Sequence, residues 1–126
     1  MRLLLDTHAF VWFLAGDKRL SHKARRTIED GRNTVLASPA VAYELAYKRD
    51  FGTVEDMLVS QFAEGVRRGR FEELPIMIDD AVAAAELPEL HKDPWDRLLI
   101  AQAKRGGLLM VTHDAMFEAY GLKTLW

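Results

Sequence analysis

The sequence has 126 residues and a mass of 14.3 kDa, the size of one domain with its own core. Hydrophobic residues make up 49% and charged residues 29%, a balance that excludes disorder. The longest apolar run, Ala9 to Ala15, is too short to span a bilayer, and no signal-peptide pattern is visible. Cysteine is absent, which excludes disulfides, a thiol nucleophile and thiolate metal ligands. We therefore expect a cytoplasmic protein with a single domain over residues 1–126.

Charge is distributed unevenly, although the formal net charge is only −2. Residues 18–49 contain eight basic and three acidic residues, a net charge of +5, whereas residues 50–126 contain eight basic and fourteen acidic residues, a net charge of −6. A basic stretch beside an acidic remainder is typical of a protein that contacts a polyanion on one face. A solvated helix face explains the same pattern, and charge alone favours that simpler interpretation.

The first half of the chain alternates apolar strands with helices. We expect Thr7 to cap the first helix and Ser38, followed by Pro39, to begin the third. Thr53 and Asp56 have the spacing of a capping box for the fourth. The predicted elements are a strand at 1–5, helices at 7–15 and 21–30, a strand at 33–37, and helices at 38–49 and 53–69.

The second half continues the alternation. Asp93 and Pro94 repeat the combination of a cap and a proline at a helix start. The predicted elements are a weak strand at 71–76, helices at 79–86 and 93–105, a strand at 108–112, a short helix at 114–119 and a strand at 122–125. Strands that alternate with helices predict an α/β fold with a mostly parallel sheet covered on both faces.

Carboxylates stand at the ends of several of these elements. Asp6 ends the first strand and Asp114 follows the strand at 108–112, so the carboxyl edge of a parallel sheet would bring them together. Asp93 and Asp96 are three residues apart at a helix start and therefore share one face. Glu44 lies in the helix at 38–49, on a partly apolar side. The sequence thus predicts a cluster of acids at one sheet edge.

Each acid also has a local structural explanation. Asp93 and Asp114 are good helix caps, and Asp96 suits the positive end of a helix. Glu44 has the spacing to pair with Lys48. Only Asp6 is hard to explain locally, because a charge rarely ends a buried strand without a partner.

The set as a whole favours a metal site. Several carboxylates at one edge repel and raise one another's pKa, and a divalent cation removes that conflict. An oxygen ligand set without cysteine favours Mg²⁺ or Mn²⁺ over zinc. Such a site is suited to hydrolysis of a phosphodiester, with the basic stretch at 18–49 holding the flanking phosphates.

Four segments resemble a known family: MRLLLDTHA at 1–9, SPAVAYEL at 38–45, DPWDRLLIAQA at 93–103 and THD at 112–114. They are similar to the four acidic blocks of PIN domains, above all the VapC-type toxins of bacterial and archaeal toxin–antitoxin pairs. The similarity extends over nearly the whole chain, in the same order and spacing. It implies a Mg²⁺- or Mn²⁺-dependent endoribonuclease on a three-layer α/β/α sandwich. It also implies a homodimer or dimer-based complex, neutralised by a cognate antitoxin whose tail crosses the active-site groove.

Carried over by position, the resemblance implies that the metal-binding and catalytic carboxylates are Asp6, Glu44, Asp96 and Asp114. Asp93 is an accessory candidate, and Thr112 matches the hydroxyl residue that supports the fourth carboxylate. Arg97 is a further accessory candidate, either as a phosphate ligand or as the ion-pair partner that orients Asp93.

Other residues near these blocks receive structural interpretations. His8 is expected to pack or cap and His91 to be a loop residue, although both could lie near the site, and His113 is given no role. One helical side carries aromatic residues that form either core or a dimer and antitoxin surface: Tyr43, Tyr47 and Phe51.

Two other classes of function fit the same sheet. A phosphatase or phosphotransfer domain would use Asp6 as a covalent nucleophile, but such enzymes place a second Asp two residues later, where this chain has His8. A non-catalytic binding module would keep the fold, although intact acids at all four positions argue against that loss. Nothing in the sequence specifies which RNA would be cut.

Overall fold

The computed structural model describes residues 1–49 and 54–126, which contain five strands and eight helices. The strands are β1 (Arg2–Leu5), β2 (Thr34–Ala37), β3 (Glu72–Glu73), β4 (Leu109–Val111) and β5 (Thr124–Leu125). The helices are α1 (Thr7–Ala15), α2 (His22–Glu29), α3 (Pro39–Tyr47), α4 (Val54–Ser60), α5 (Phe62–Gly69), α6 (Ile78–Glu86), α7 (Pro94–Gly106) and α8 (Met116–Ala119).

The strands form one sheet in the order β3-β2-β1-β4-β5. All four pairings are parallel, and Leu3 of β1 lies opposite Val35 on one side and Leu109 on the other. The chain builds outwards from β1 to β2 and β3, and then returns to add β4 and β5 on the opposite side. The strand order therefore reverses between β1 and β4, which is where parallel sheets bind ligands. The predicted α/β fold with a parallel central sheet is confirmed.

Burial on both faces explains the apolar central strands. Leu3, Leu4 and Leu5 of β1 are 0% exposed, as are Met110 and Val111 of β4. Successive strand residues point to opposite faces, so their common burial means that both faces of the sheet are covered.

The first helix begins differently from our expectation. Asp6, not Thr7, is the N-cap of α1, and its Oδ1 atom accepts a hydrogen bond from the backbone N–H of Ala9 at 2.8 Å. Asp6 has the extended backbone conformation that a capping residue needs, with φ −76° and ψ 176°. Thr7 is already helical, which leaves its hydroxyl to make a different contact. The prediction that Thr7 caps this helix was therefore wrong.

The sheet edge at β3 and the helical segment before it also differ from the prediction. The strand expected at 71–76 is reduced to β3, an edge strand that pairs only with β2. The helix expected at 53–69 consists of two helices, α4 and α5, and its predicted cap at Thr53 lies outside the described residues. None of the helices in the described ranges has the length and apolarity needed to cross a bilayer.

Candidate metal centre

The predicted acids meet at the carboxyl edge of the sheet, where the strand order reverses. Asp6 follows β1 directly, and Asp114 lies just beyond β4. Asp96 lies in the first turn of α7 and Glu44 in the second half of α3. The charges of Asp6, Glu44 and Asp114 each act on Asp96, so the structure brings the four acids into one electrostatic environment.

Asp6 is the most buried member, with only 6% of its surface exposed. Besides capping α1, it accepts at Oδ2 a hydrogen bond of 2.6 Å from the hydroxyl of Thr112. Thr112 Oγ1 also accepts the backbone N–H of Asp114 at 3.0 Å. Burial raises the pKa of Asp6, and the bonds from Thr112 and Ala9 counteract that rise. One hydroxyl thus joins the first acid to the backbone of the fourth, which is more than the resemblance implied for Thr112.

The start of α7 positions Asp96. Asp93 caps this helix, because its Oδ1 atom accepts the backbone N–H groups of Trp95 at 2.9 Å and of Asp96 at 3.2 Å. Pro94 occupies the first turn, where its missing N–H costs nothing. The second oxygen of Asp93 lies 3.7 Å from Nζ of Lys48. Asp93 is therefore first of all a helix cap, with one oxygen at the margin of the acidic cluster.

Asp96, like Asp6, has a raised pKa. Burial raises the pKa of Asp96 to about 8, with further contributions from the charges of Asp93, Glu44, Asp6 and Asp114. At neutral pH and without a cation, Asp96 therefore holds a proton. A cation at the site would displace that proton by compensating the charge.

His91 lies in the loop before α7, as expected, and it also belongs to this cluster, which the sequence had left open as an alternative. Its Nε2 atom lies 2.8 Å from Oδ2 of Asp96 and 3.5 Å from Oδ2 of Asp114. The backbone N–H of Asp93 donates to Nδ1 at 3.3 Å. The hydroxyl of Tyr120 accepts the backbone N–H of His91 at 2.8 Å. The only sequence signal for this placement was the position of His91 two residues before a capping acid.

Glu44 is held from two sides. The hydroxyl of Thr7 donates to its Oε1 atom at 2.5 Å, and Nζ of Lys48 donates to Oε2 at 2.9 Å. The bond to Glu44 raises the pKa of Lys48. The sequence offered an ion pair with Lys48 as a purely structural explanation of Glu44. That pair is present, but it lies within the acidic cluster, so it does not separate Glu44 from the other acids. Lys48 supplies positive charge to Glu44 and Asp93.

This donor set fits a divalent cation. Ligand atoms of His91, Asp96 and Asp114 lie within 4.8 Å of one another, a spacing that a single ion can span. Asp6 and Asp96 are carboxylates whose pKa is raised by burial, so both lack full charge compensation from the protein. Carboxylate oxygens are the preferred ligands of Mg²⁺, and an added imidazole also suits Mn²⁺.

Arg97 has a role that was not predicted. Its guanidinium donates to four backbone carbonyls in the last turn of α6 and the loop that follows, those of Ala85, Leu87, Pro88 and His91. It makes no ion pair with Asp93 within the described residues. The helix end leaves carbonyls without intrahelical partners, and the planar guanidinium satisfies several at once. Arg97 therefore fixes the loop that carries His91. The predicted ion pair with Asp93 was wrong, while phosphate binding by Arg97 stays a prediction.

An exposed aromatic groove lies next to the acidic cluster. Tyr43 and Tyr47 are 63% and 72% exposed, and their rings stack with centroids 6.2 Å apart. Trp95 packs against both, and a cleft of about 550 Å³ opens among the three. The aromatic side of α3 is therefore surface and not core, while Phe51, its third predicted member, lies outside the described residues.

A comparison with known protein families identifies the family of this chain. The family model of the PIN domain matches residues 3–123, which include the whole acidic cluster. The chain belongs to the PIN domain family. No curated protein matches the sequence. The family membership predicted from the four acidic segments is confirmed.

Solved structures share this PIN fold at low sequence identity. The VapBC2 complex of Rickettsia felis, bound to a DNA fragment from its promoter, has a chain with a TM-score of 0.70 and 17% identity, covering 99% of this chain and 98% of that one. A chain of the DNA-bound VapBC of Salmonella typhimurium has a TM-score of 0.70 and 18% identity, covering 99% of this chain and 97% of that one. VapC20 of Mycobacterium tuberculosis, a sarcin–ricin loop cleaving toxin, has a TM-score of 0.70 and 18% identity, covering 95% of this chain and 95% of that one. At these identities the likeness establishes the fold.

Proposed function

We propose that this PIN domain is a divalent-metal-dependent endoribonuclease that hydrolyses RNA phosphodiester bonds and acts as the toxin of a toxin–antitoxin pair. The observation that carries the proposal is the gathering of Asp6, Glu44, Asp96 and Asp114 at the reversal point of the sheet, with a raised pKa on Asp6 and Asp96. An acidic cluster that is short of positive charge favours a cation over a purely structural role. The VapC-like fold supports the choice of RNA.

The four carboxylates would hold Mg²⁺ or Mn²⁺, with Asp93 as an accessory acid. When bound, the ion would lower the pKa of a coordinated water and neutralise charge on the scissile phosphate. Thr112 keeps Asp6 oriented by donating to Oδ2, which leaves the remaining lone pairs of that carboxylate for a cation. Thr7 and Lys48 orient Glu44 in the same way.

We also propose a protein partner, an antitoxin that binds close to the acidic cluster, and a dimer-based assembly. The support is twofold. The structural neighbours include VapBC complexes, and Tyr43, Tyr47 and Trp95 form an exposed aromatic groove beside the acids. Aromatic residues at such a surface are typical of protein interfaces. The proposal includes one domain over residues 1–126 and a cytoplasmic location, as expected from the sequence.

Incubation of the purified protein with total RNA tests the proposed activity. We expect cleavage in Mg²⁺ or Mn²⁺, no cleavage in EDTA, and discrete mapped ends. Asp96→Asn should remove the activity, whereas Asp79→Asn, a matched change of an exposed acid on α6, should leave it unchanged. Cleavage that persists in EDTA, or in Asp96→Asn at the parental rate, would contradict the metal-dependent mechanism.

A further inference from the structure

Four aromatic side chains form a connected stack beside the acidic cluster, which we name the aromatic ledge: His8, Trp12, His113 and Trp126. The imidazole of His8 stacks on Trp12 with centroids 5.0 Å apart and ring planes within 5°. The imidazole of His113 lies 4.8 Å from the ring of Trp126 and 5.5 Å from that of Trp12. The ledge joins α1, the loop after β4 and the residue that follows β5.

The two imidazoles are exposed, while the indoles behind them are covered. Trp12 is only 8% exposed and Trp126 is half-buried. The guanidinium of Arg19 lies 4.6 Å from the Trp12 ring, so a cation borders the ledge. Packing alone accounts for the indoles, but it does not account for two flat heteroaromatic rings that face solvent on a rigid aromatic support.

The ledge is continuous with the proposed metal centre. His8 is two residues after Asp6, and His113 directly precedes Asp114. A cleft of about 380 Å³ has Thr112, Asp114 and His113 among its lining residues, together with Trp126 and Lys23. A molecule that placed a phosphate near Asp114 could therefore reach the rings of His113 and Trp126 through one open cleft.

We propose that the aromatic ledge binds a nucleobase of single-stranded RNA, next to the phosphate that is cut. This inference rests on the proposed ribonuclease function and names a part of its substrate site. Every nucleobase has a π face, so exposed rings beside a cleavage site provide a stacking platform for an unpaired base. Lys23 in the same cleft supplies positive charge for the flanking phosphates.

Histidine variants and tryptophan fluorescence test the ledge. The sequence has three tryptophans, so Trp95→Phe leaves only the two indoles of the ledge as reporters. In that background, with Asp6→Asn added to stop turnover, a single-stranded ten-nucleotide RNA should quench the fluorescence. His113→Ala should weaken this binding about fivefold to a hundredfold. His113→Phe, which keeps a flat ring, should restore most of it.

The matched control is His22→Ala, because His22 is exposed on α2 and outside the ledge. It should bind RNA as the parent does. In the active protein, His113→Ala should raise KM for single-stranded RNA more than it lowers kcat, with Mg²⁺ affinity unchanged.

Three results would overturn the inference. If His8→Ala and His113→Ala together leave KM unchanged in a parent that cuts RNA, the ledge has no part in binding, while the ribonuclease proposal stands. If His113→Phe weakens RNA binding as much as His113→Ala does, stacking is not the interaction. If the parent cuts no RNA in any metal, the proposed function itself is wrong, and this inference with it.

Discussion

The hydroxyl of Thr112 donates to Oδ2 of Asp6 across a separation of 106 residues, at a distance of 2.6 Å. The same oxygen accepts the backbone N–H of Asp114. A single atom at the end of β4 therefore sets the orientation of the acid at the end of β1 and the path of the chain that leads to the next acid. This relation makes Thr112 a positioning residue for two of the proposed ligands.

Replacing Thr112 with Val should test this role. Val is of similar shape but removes the donor to a buried carboxylate, so we expect a loss of about 1–3 kcal/mol in the free energy of unfolding. Mg²⁺ affinity should also fall, because Asp6 loses its fixed orientation. Urea denaturation and calorimetric Mg²⁺ titration measure the two effects. Thr112→Ser retains the hydroxyl and should stay close to the parent in both.

Asp6→Asn should separate activity from stability. The amide keeps an oxygen to cap α1 and removes one buried charge from a crowded cluster, so the metal-free protein should be as stable as the parent or more stable. Cleavage of RNA should be lost, and metal affinity should fall. Thermal melts and cleavage assays, each with and without Mg²⁺, give the answer. A variant that cuts RNA as the parent does would show that Asp6 is not a ligand.

The raised pKa of Asp96 predicts a pH-dependent stability. Between the pKa of an unfolded aspartate, about 4, and the folded value of about 8, the folded protein holds a proton that the unfolded chain has lost. Stability of the metal-free protein should therefore fall as pH rises through this window, by an amount on the order of 2 kcal/mol. Urea titrations in EDTA at pH 5 and pH 8 measure it. Asp96→Asn should flatten the dependence of the unfolding free energy on pH. An unchanged slope in that variant would show that another group causes the pH dependence.

Arg97→Ala should destabilise the protein without acting on RNA directly. Four carbonyls lose a charged donor, so we expect the free energy of unfolding to fall by about 1–3 kcal/mol. The salt dependence of RNA binding, which counts the phosphates contacted by protein cations, should keep its slope. A slope reduced by about one unit would support the phosphate-binding role instead.

The proposed antitoxin leads to a prediction about competition. An arginine of the partner could enter the acidic cluster in place of the metal and pair with two carboxylates in a bidentate geometry. Inhibition should then weaken with rising salt and rising Mg²⁺, and should weaken in Glu44→Gln and Asp96→Asn. Cleavage assays with the product of the neighbouring gene measure this. Inhibition that does not change with Mg²⁺ concentration or in either variant would contradict the arginine in the cluster. It would leave the groove of Tyr43, Tyr47 and Trp95 as the contact surface.

The fold and the acidic positions could be predicted because their signals are local. Apolar runs mark strands that are buried on both faces, and caps with proline mark the starts of α3 and α7. The places of the acids at strand ends and helix starts predicted their grouping, and the resemblance supplied their roles. The part that escaped prediction depends on tertiary contacts. His91 reaches Asp96 only because Arg97 and Tyr120 hold its loop, and no spacing within one element encodes that arrangement.

The same limit explains the errors. Arg97 follows an acid and looks like its partner in the sequence, yet the carbonyls at the end of α6 lie within reach and need donors. Thr7 looks like a cap, but the preceding Asp6 already has the extended backbone and the stronger acceptor. In both cases the sequence allowed two interactions. The position of the carbonyls decided the partner of Arg97, and the backbone conformation of Asp6 decided the cap of α1.

The order of the strands has a consequence during synthesis. β1 emerges first, but its partner β4, with Thr112 and Asp114 behind it, is translated more than a hundred residues later. The growing chain carries Asp6 and Glu44 early, without the neighbours that would complete a metal site. On the proposed function, the nuclease stays inert until the segment that carries Asp96 and Asp114 has been synthesised and has folded against β1 and α3.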